Sequence, residues 1–249
     1  MMYTVLASFY DKLNASVDYR GIYRFVSSVF KENGVPEGAM LLDLACGTGV
    51  LTVPFAKAGY DMIAVDLSAD MLMTARERSD EEEVCPLYLC QDMRELDLYG
   101  TVDGGYCCLN SLNYLDTQDD LEKVFDRLKY FVAPGGVFVF DVNTAYKFIN
   151  VYGDKTYVYD EEDVFCVWQN HTEVAPLASE FTLTFFAPDK KGKYCRFEEG
   201  QRQTYFAPED IERAYRKAGF ETLGIYGSVD RDAPKDTDEA IWFVIKRVL

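Results

Sequence analysis

Apolar and polar positions switch between two periods along residues 39–142. Met40-Leu41-Leu42-Asp43-Leu44 is a short apolar run ending in a glycine-rich turn, the pattern of a buried strand. The stretch through Phe55 and Ala58 reads as helix, with Gly59 placed to stop it. Met62 to Asp66 predicts a second strand. Ser68 then caps a helix with Asp70 in its first turn and Met71, Leu72 and Ala75 facing inward. A third strand is expected at Pro86 to Cys90 and a fourth at Val102 to Leu109. Thr117 and Asp120 resemble a capping box, with Asp where Glu is usual, and open a helix carrying Leu121, Val124, Phe125, Leu128 and Val132 on one stripe. Pro134-Gly135-Gly136 breaks to a fifth strand, Val137 to Asp141. Strand and helix taking turns in this way imply right-handed β-α-β units and a parallel sheet with helices on both faces.

The pattern changes near residue 148. Val164 to Val174, Glu180 to Phe186 and Lys193 to Phe206 are strand-like with no helix between them, and Asp189-Lys190-Lys191-Gly192 reads as a hairpin turn. Helical spacing resumes at Pro208, with Ile211, Ala214, Tyr215 and Ala218 inward and Gly219 as its stop. Two closing strands follow, Thr222 to Tyr226 and Ala240 to Val248. Ahead of the core, Tyr3 to Tyr10 and Val17 to Phe30 look helical. The expected organisation is a core over residues 1–147 with an N-terminal helical cap, an antiparallel insertion over 148–205, and completion of the core over 206–249.

Composition narrows the chemistry. The 249 residues carry 25 Lys+Arg against 42 Asp+Glu, a formal charge of −17, which disfavours nonspecific nucleic-acid binding and makes RNA a poorer substrate than a neutral or cationic small molecule. With 49% hydrophobic and 27% charged residues the chain is globular rather than disordered. One histidine, His171, excludes a site needing two from one chain. Seven cysteines without a C-x-x-C pair exclude a zinc ribbon or thioredoxin motif, and no metal site is expected. No apolar stretch approaches the roughly 20 residues of a membrane span, and residues 1–10 lack the features of an export signal. An odd number of cysteines then points to reduced thiols in a cytoplasmic protein.

In an open parallel sheet, ligands bind beyond the carboxyl ends of the strands where strand order reverses. The first such end is Asp43-Leu44-Ala45-Cys46-Gly47-Thr48-Gly49, whose small residues allow a sharp turn and close approach of the backbone to a ligand. Asp66 ends the second strand, where a carboxylate can accept from both hydroxyls of a ribose. Asp92, after the third strand, is placed to accept from an adenine amino group. Position 52 is Thr where a dinucleotide fingerprint needs its third Gly, so an adenosine without a pyrophosphate fits better than NAD.

These motifs resemble, in order, those of class I S-adenosylmethionine (SAM)-dependent methyltransferases. Leu41 to Gly49 is similar to motif I, Val65-Asp66-Leu67-Ser68 to the second, and Gln91-Asp92-Met93 and Cys108 to Tyr114 to the third and fourth. The nearest similarity is to small bacterial methyltransferases of the type 11/25 group. The resemblance implies a Rossmann-like seven-stranded, mostly parallel sheet of order 3-2-1-4-5-7-6 with an antiparallel last hairpin. It assigns Ala45 and Gly47 to the methionine part of SAM, Asp43 to orienting that loop, and Asp66 to the ribose. Leu67 and Met93 would flank the adenine, Asp92 would recognise its amino group, and Leu109 would present a carbonyl to the methionine amino group. Tyr10 and Tyr19 resemble the N-terminal aromatics that close over the donor.

The acceptor side is less defined. Asn110, Asn113 and Tyr114 follow the fourth strand and are candidates for substrate contact, or for capping of their own loop. His171 lies on an insertion strand that could cover the site as a general base, or face away. Arg196, Glu198 and Arg202 could meet a substrate or be solvated strand charges, and Cys46, Cys107 and Cys108 read as packing residues. The acidic runs Asp80 to Glu83 and Asp160 to Asp163 are expected in exposed loops, and Lys190, Lys191 and Lys193 at a hairpin tip are too few to dock RNA. The leading reading is methyl transfer to a small or medium acceptor beneath a partly aromatic lid formed by the insertion and the N-terminal helices. A noncatalytic SAM-binding regulatory protein and an NAD-dependent oxidoreductase are the alternatives.

Overall fold

The computed structural model describes residues 4–161, 163–189 and 191–248. Among them, strands β1 (Met40–Leu44), β2 (Asp61–Asp66), β3 (Leu87–Cys90), β4 (Val102–Cys107), β5 (Val132–Asn143), β10 (Phe220–Tyr226) and β11 (Ala240–Arg247) form one sheet. Its order is β10-β11-β5-β4-β1-β2-β3, and the pairs from β5 to β3 are parallel. β11 runs antiparallel to both β5 and β10. Counting core strands alone, this is the expected order 3-2-1-4-5-7-6. The order reverses between β1 and β4, and the cleft at that point is where a ligand belongs.

Each face of the sheet buries an apolar layer. Helices α2 (Tyr19–Glu32) and α3 (Thr52–Lys57) cover one face, with Phe25, Phe30 and Phe55 against Tyr106 and Trp242. Helices α5 (Gln118–Phe131) and α6 (Pro208–Lys217) cover the other, with Leu121, Phe125, Ile211 and Tyr215 against Phe140 and Phe243. α4 (Ala69–Glu81) begins as predicted, the Met71 amide donating to the Ser68 hydroxyl at 3.2 Å. Gly59 and Gly219 take the left-handed backbone that ends α3 and α6. Gly105 in β4 has no room for a side chain, since a Cβ there would lie 2.9 Å from the Leu42 carbonyl oxygen and 3.0 Å from Leu42 Cβ. Gly105→Ala should therefore lower stability by about 1–3 kcal/mol, read from the urea unfolding midpoint.

The insertion is a second sheet of order β6-β7-β8-β9, built from β6 (Thr156–Glu161), β7 (Val164–Val174), β8 (Leu177–Pro188) and β9 (Tyr194–Thr204), all antiparallel. Sequence reading found three strands here. It missed β6, an edge strand exposed at alternate positions that lacks an apolar period, and the turn of wide helix over Lys147–Tyr152. The Asp189–Gly192 turn is present, with Asp189 Oδ1 accepting from the amides of Lys191 and Lys193 at 2.8 and 2.9 Å. Lys190, like Tyr3 and Glu162, lies outside the described residues. The inner face of this sheet sits on α1 (Thr4–Leu13) and α4, where Phe9 stacks on Phe185 at 6.2 Å and Leu13, Met71 and Leu183 close the contact.

Several boundaries differ. The first helix runs three residues further than expected, to Leu13, and the second starts at Tyr19, where Asp18 accepts from the Gly21 amide at 2.8 Å. β4 stops at Cys107, because Leu109 and Asn110 adopt left-handed backbone. β5 starts at Val132 and continues through Pro134-Gly135-Gly136, which shifts the register against β4 instead of interrupting the strand. Asp80 and Glu81 close α4, and Asp160 and Glu161 belong to β6, so these exposed acidic residues sit in regular structure rather than loops.

Candidate active site

At the reversal of strand order lies a cavity of about 290 Å³, continuous in its lining with a smaller one of about 30 Å³. Their shared wall contains Tyr10, Ala45, Gly47, Leu109 and Ser111. Asp66, Leu67, Asp92 and Met93 line the larger, and Tyr19 and Asp43 the smaller. The ten residues singled out on the donor side therefore all reach these walls, although they come from two helices and four strand ends.

The loop after β1 takes its shape from strained backbone and one carboxylate. Ala45 and Gly47 have φ of 62° and 54°, a region alanine seldom enters. Asp66 holds the loop: the Gly47 amide donates to its Oδ2 at 2.8 Å and the Ser68 amide to its Oδ1 at 2.9 Å. Burial raises the Asp66 pKa, and those amides oppose the rise. The Leu67 amide bonds the same carboxylate, which leaves about one of its four acceptor positions for the cavity.

Asp43 is 3% exposed and acts beneath the loop. The hydroxyls of Thr52 and Tyr106 donate to its Oδ2 at 2.5 and 3.0 Å, and burial pushes its pKa up to about 7 despite them. Thr52, read from sequence only as a missing glycine, thus ties the start of α3 to β1. Asp92 is less free than sequence suggested. Arg94 donates from Nε to Oδ1 at 3.0 Å and from Nη2 to Oδ2 at 2.5 Å, holding the Asp92 pKa down. Arg94 itself lines the cavity. No sequence signal marked it beyond its place two residues on.

α1 is fastened over the loop. Thr48 donates its hydroxyl to Asp11 at 2.6 Å, while Arg78 pairs with Asp11 and donates from Nε to the Thr48 carbonyl at 2.9 Å. This places Tyr10 in both cavities, its hydroxyl pKa pushed well up by burial and then by the nearby Tyr114. The Tyr19 hydroxyl is buried at the smaller cavity without a hydrogen-bond partner.

On the far wall β9 contributes Gln201 and Arg202. Tyr114 donates its hydroxyl to Gln201 Oε1 at 3.0 Å, and burial raises the pKa of that hydroxyl although the residue as a whole is 37% exposed. Gln201 carried no sequence signal, since nothing about a strand residue reports which sheet edge reaches a cavity. Arg202 is paired with Glu180 at 3.2 Å at the rim, whereas Arg196 pairs with Glu198 on exposed surface away from it.

Three other candidates fall elsewhere. His171 on β7 has a side chain 70% exposed, 3.2 Å from Asp154, and lines neither cavity; its strand position faces solvent. Asn113 is fully buried as a tie, donating to the Thr204 carbonyl at 2.8 Å and accepting from the Asn143 amide at 2.8 Å. Asn110 lies behind the wall, its amide donating to Asp141 Oδ2 at 3.2 Å. Cys46, Cys107 and Cys108 have pKa values well above the usual thiol value through burial, which suits packing and not nucleophilic attack.

An open sheet with a cavity at its switch point, an acidic strand end and a small-residue loop define an α/β ligand-binding protein. The comparisons then supply the family. The family described as "Methyltransferase domain" matches residues 41–136. A Geobacillus sp. (strain WCH70) protein provisionally named a methyltransferase is 31% identical, over 99% of this chain and 100% of its own. The crystal structure of an S-adenosylmethionine-dependent methyltransferase from Clostridium acetobutylicum ATCC 824 superposes with a TM-score of 0.89 at 32% identity, covering 99% of each chain. A dTDP-3-amino-3,6-dideoxy-alpha-D-glucopyranose N,N-dimethyltransferase of Streptomyces fradiae is 29% identical over 74% of this chain and 71% of its own. The chain belongs to the SAM-dependent methyltransferases, and SAM is its cofactor.

Proposed function

We propose that the protein moves a methyl group from SAM to a small acceptor carrying an amine, bound beneath the insertion. The observation that carries this reading is the shared cavity, one wall made by the strand-end loops and the opposite wall by Gln201 and Arg202 of β9. Asp66 would hold the ribose through its remaining acceptor position, Leu67 and Met93 would flank the adenine, and Asp92 with Arg94 would meet its polar edge. Ala45, Gly47 and Leu109 would hold the methionine part, with Asp43 below the loop and Tyr10 and Tyr19 over it. The wall residues fit such a donor. Gly47 takes φ of 54° and has no atom nearer than Tyr10 Cε1, 4.0 Å from where a Cβ would stand, so the wall is open there, and the orphaned Tyr19 hydroxyl is a free donor at the same end.

SAM supplies, when bound, an electrophilic methyl on a sulfonium. The residues supply placement, which can contribute roughly 7–11 kcal/mol to such a displacement. Tyr10 and Tyr114 keep their protons, because burial raises both, and they orient a nucleophile as hydrogen-bonding partners rather than as bases. A neutral amine already has a lone pair, so a wall without histidine is adequate. The Streptomyces fradiae relative names an amino sugar as its substrate, which supports nitrogen as the accepting atom. The −17 charge favours a neutral or cationic acceptor over RNA. Among described residues no helix is long and apolar enough to cross a membrane. The odd cysteine count supports placing the reaction in the cytosol.

Calorimetry with SAM, S-adenosylhomocysteine (SAH) and NAD tests the donor side: SAM and SAH should bind and NAD should not. Labelled methyl from SAM, incubated with extract fractions split into amines, other small molecules, proteins and RNA, should enter the amine fraction. Label confined to RNA would sink the acceptor reading, and SAH binding with no transfer to any fraction would favour a regulatory SAM-binding protein.

A further inference from the structure

Leu109 and Asn110 are consecutive non-glycine residues with φ of 62° and 59°. Side chains at such positions rarely settle there unless the surroundings hold them. One buried side chain helps to hold them, beside the Asn113 amide that donates to the Asn110 carbonyl at 3.0 Å. Asp141, near the end of β5 and 3% exposed, accepts from the Asn110 amide at 3.2 Å, and the Leu109 amide bonds the same carboxylate. Two successive amides turned toward one point make an anion-binding concavity, and Asp141 fills it. Its other oxygen, Oδ1, is buried with no partner. A buried carboxylate so incompletely satisfied is costly unless it performs a task.

We propose that Asp141 is a positioning residue for donor binding: seated on the Leu109 and Asn110 amides, it fixes the left-handed turn that sets Leu109 in the wall shared by both cavities. The proposal rests on reading those cavities as the SAM site. Asp141 lines neither cavity and touches no ligand; it acts through the turn. Its ionised form is the better acceptor for two amides, and burial pushes its pKa up to about 7. The charged and titratable groups facing it are Lys147, whose charge opposes that rise and which pairs with Glu239 at 3.6 Å, and the thiols of Cys107 and Cys108, both neutral. Donor affinity should therefore carry an Asp141-dependent loss as pH falls through about 7.

The test is SAH calorimetry across about pH 6 to 8.5 on the full chain, comparing wild type with Asp141→Asn, a nearly isosteric change. The variant should bind SAH about tenfold more weakly at the alkaline end. Its affinity should also vary less with pH than that of the wild type. Asp43 and Asp66 titrate in both proteins, so the difference between the two profiles isolates Asp141. A second variant separates positioning from general damage. Asp141→Asn combined with Asn110→Gly should recover several-fold in affinity, because glycine enters the left-handed region without penalty. Asn143→Ala, which removes the donation from Asn143 Nδ2 to Gln203 Oε1 of the insertion at 2.7 Å, should leave the wild-type pH profile of SAH affinity in place. Asp141→Asn binding as tightly as wild type at alkaline pH, or a double variant no better than the single one, would overturn the proposal alone. Failure of the wild type to bind SAH would overturn the donor reading and this proposal together.

Discussion

Asp66→Ala is expected to weaken SAH binding by about 100-fold or more, with a smaller loss of thermal stability. Two effects add. A hydrogen bond to a charged group contributes about 1.5–3 kcal/mol, and the one to the ribose would be lost. The same truncation frees the Gly47 and Ser68 amides, which donate to the carboxylate at 2.8 and 2.9 Å, and so loosens a loop whose Ala45 is already left-handed. Asp66→Asn separates these contributions: its carbonyl oxygen still serves one amide, so affinity should fall by about tenfold, with the loop kept. Titration calorimetry gives both values, and a tenfold or smaller loss for Asp66→Ala would remove the ribose from this carboxylate.

The second large effect concerns pH and the ligand-free protein. Asp43 and Asp141 both have pKa values near 7 through burial. In the unfolded chain such groups ionise near their ordinary value of about 3.9. Between about pH 4 and 7 the folded protein thus holds protons that the unfolded chain has released, and stability must fall as pH rises across that window. Three pH units correspond to about 4 kcal/mol per group at most. At about 2–4 °C per kcal/mol for a chain of this size, the melting temperature should drop by at least about 5 °C from pH 5.5 to pH 8. Asp141→Asn should remove a large part of that drop. Below about pH 4 the sign reverses, because Asp92, held low by Arg94, begins to lose its ion pair. A melting temperature that rises steadily from pH 5.5 to pH 8 in scanning calorimetry would mean that both carboxylates ionise normally.

The core was legible because each of its segments states its role locally. β1 is a run of apolar residues ended by small ones, Ser68 caps its own helix, and Gly59 and Gly219 stop theirs. What escaped depends on contacts distant in sequence. Thr52 looked like an absent glycine until Asp43, nine residues back, accepted its hydroxyl. Asn113 looked like a substrate contact, but its partners are Thr204 and Asn143. Whether His171 faced the site or solvent depended on the pairing register of β7, which a period of two leaves undetermined. β6 escaped because an exposed edge strand needs no apolar face.

β9 is the last strand of its sheet among the described residues, so one side of its main chain has no strand partner. An edge of this kind offers a row of amide and carbonyl groups that no side-chain substitution can remove. Gln201 and Arg202 of this edge strand border the cavity, and the one peptide group between them is independent of residue identity. Exchanging side chains along that strand would reshape the pocket for a different molecule while the polar pattern of its backbone stays constant.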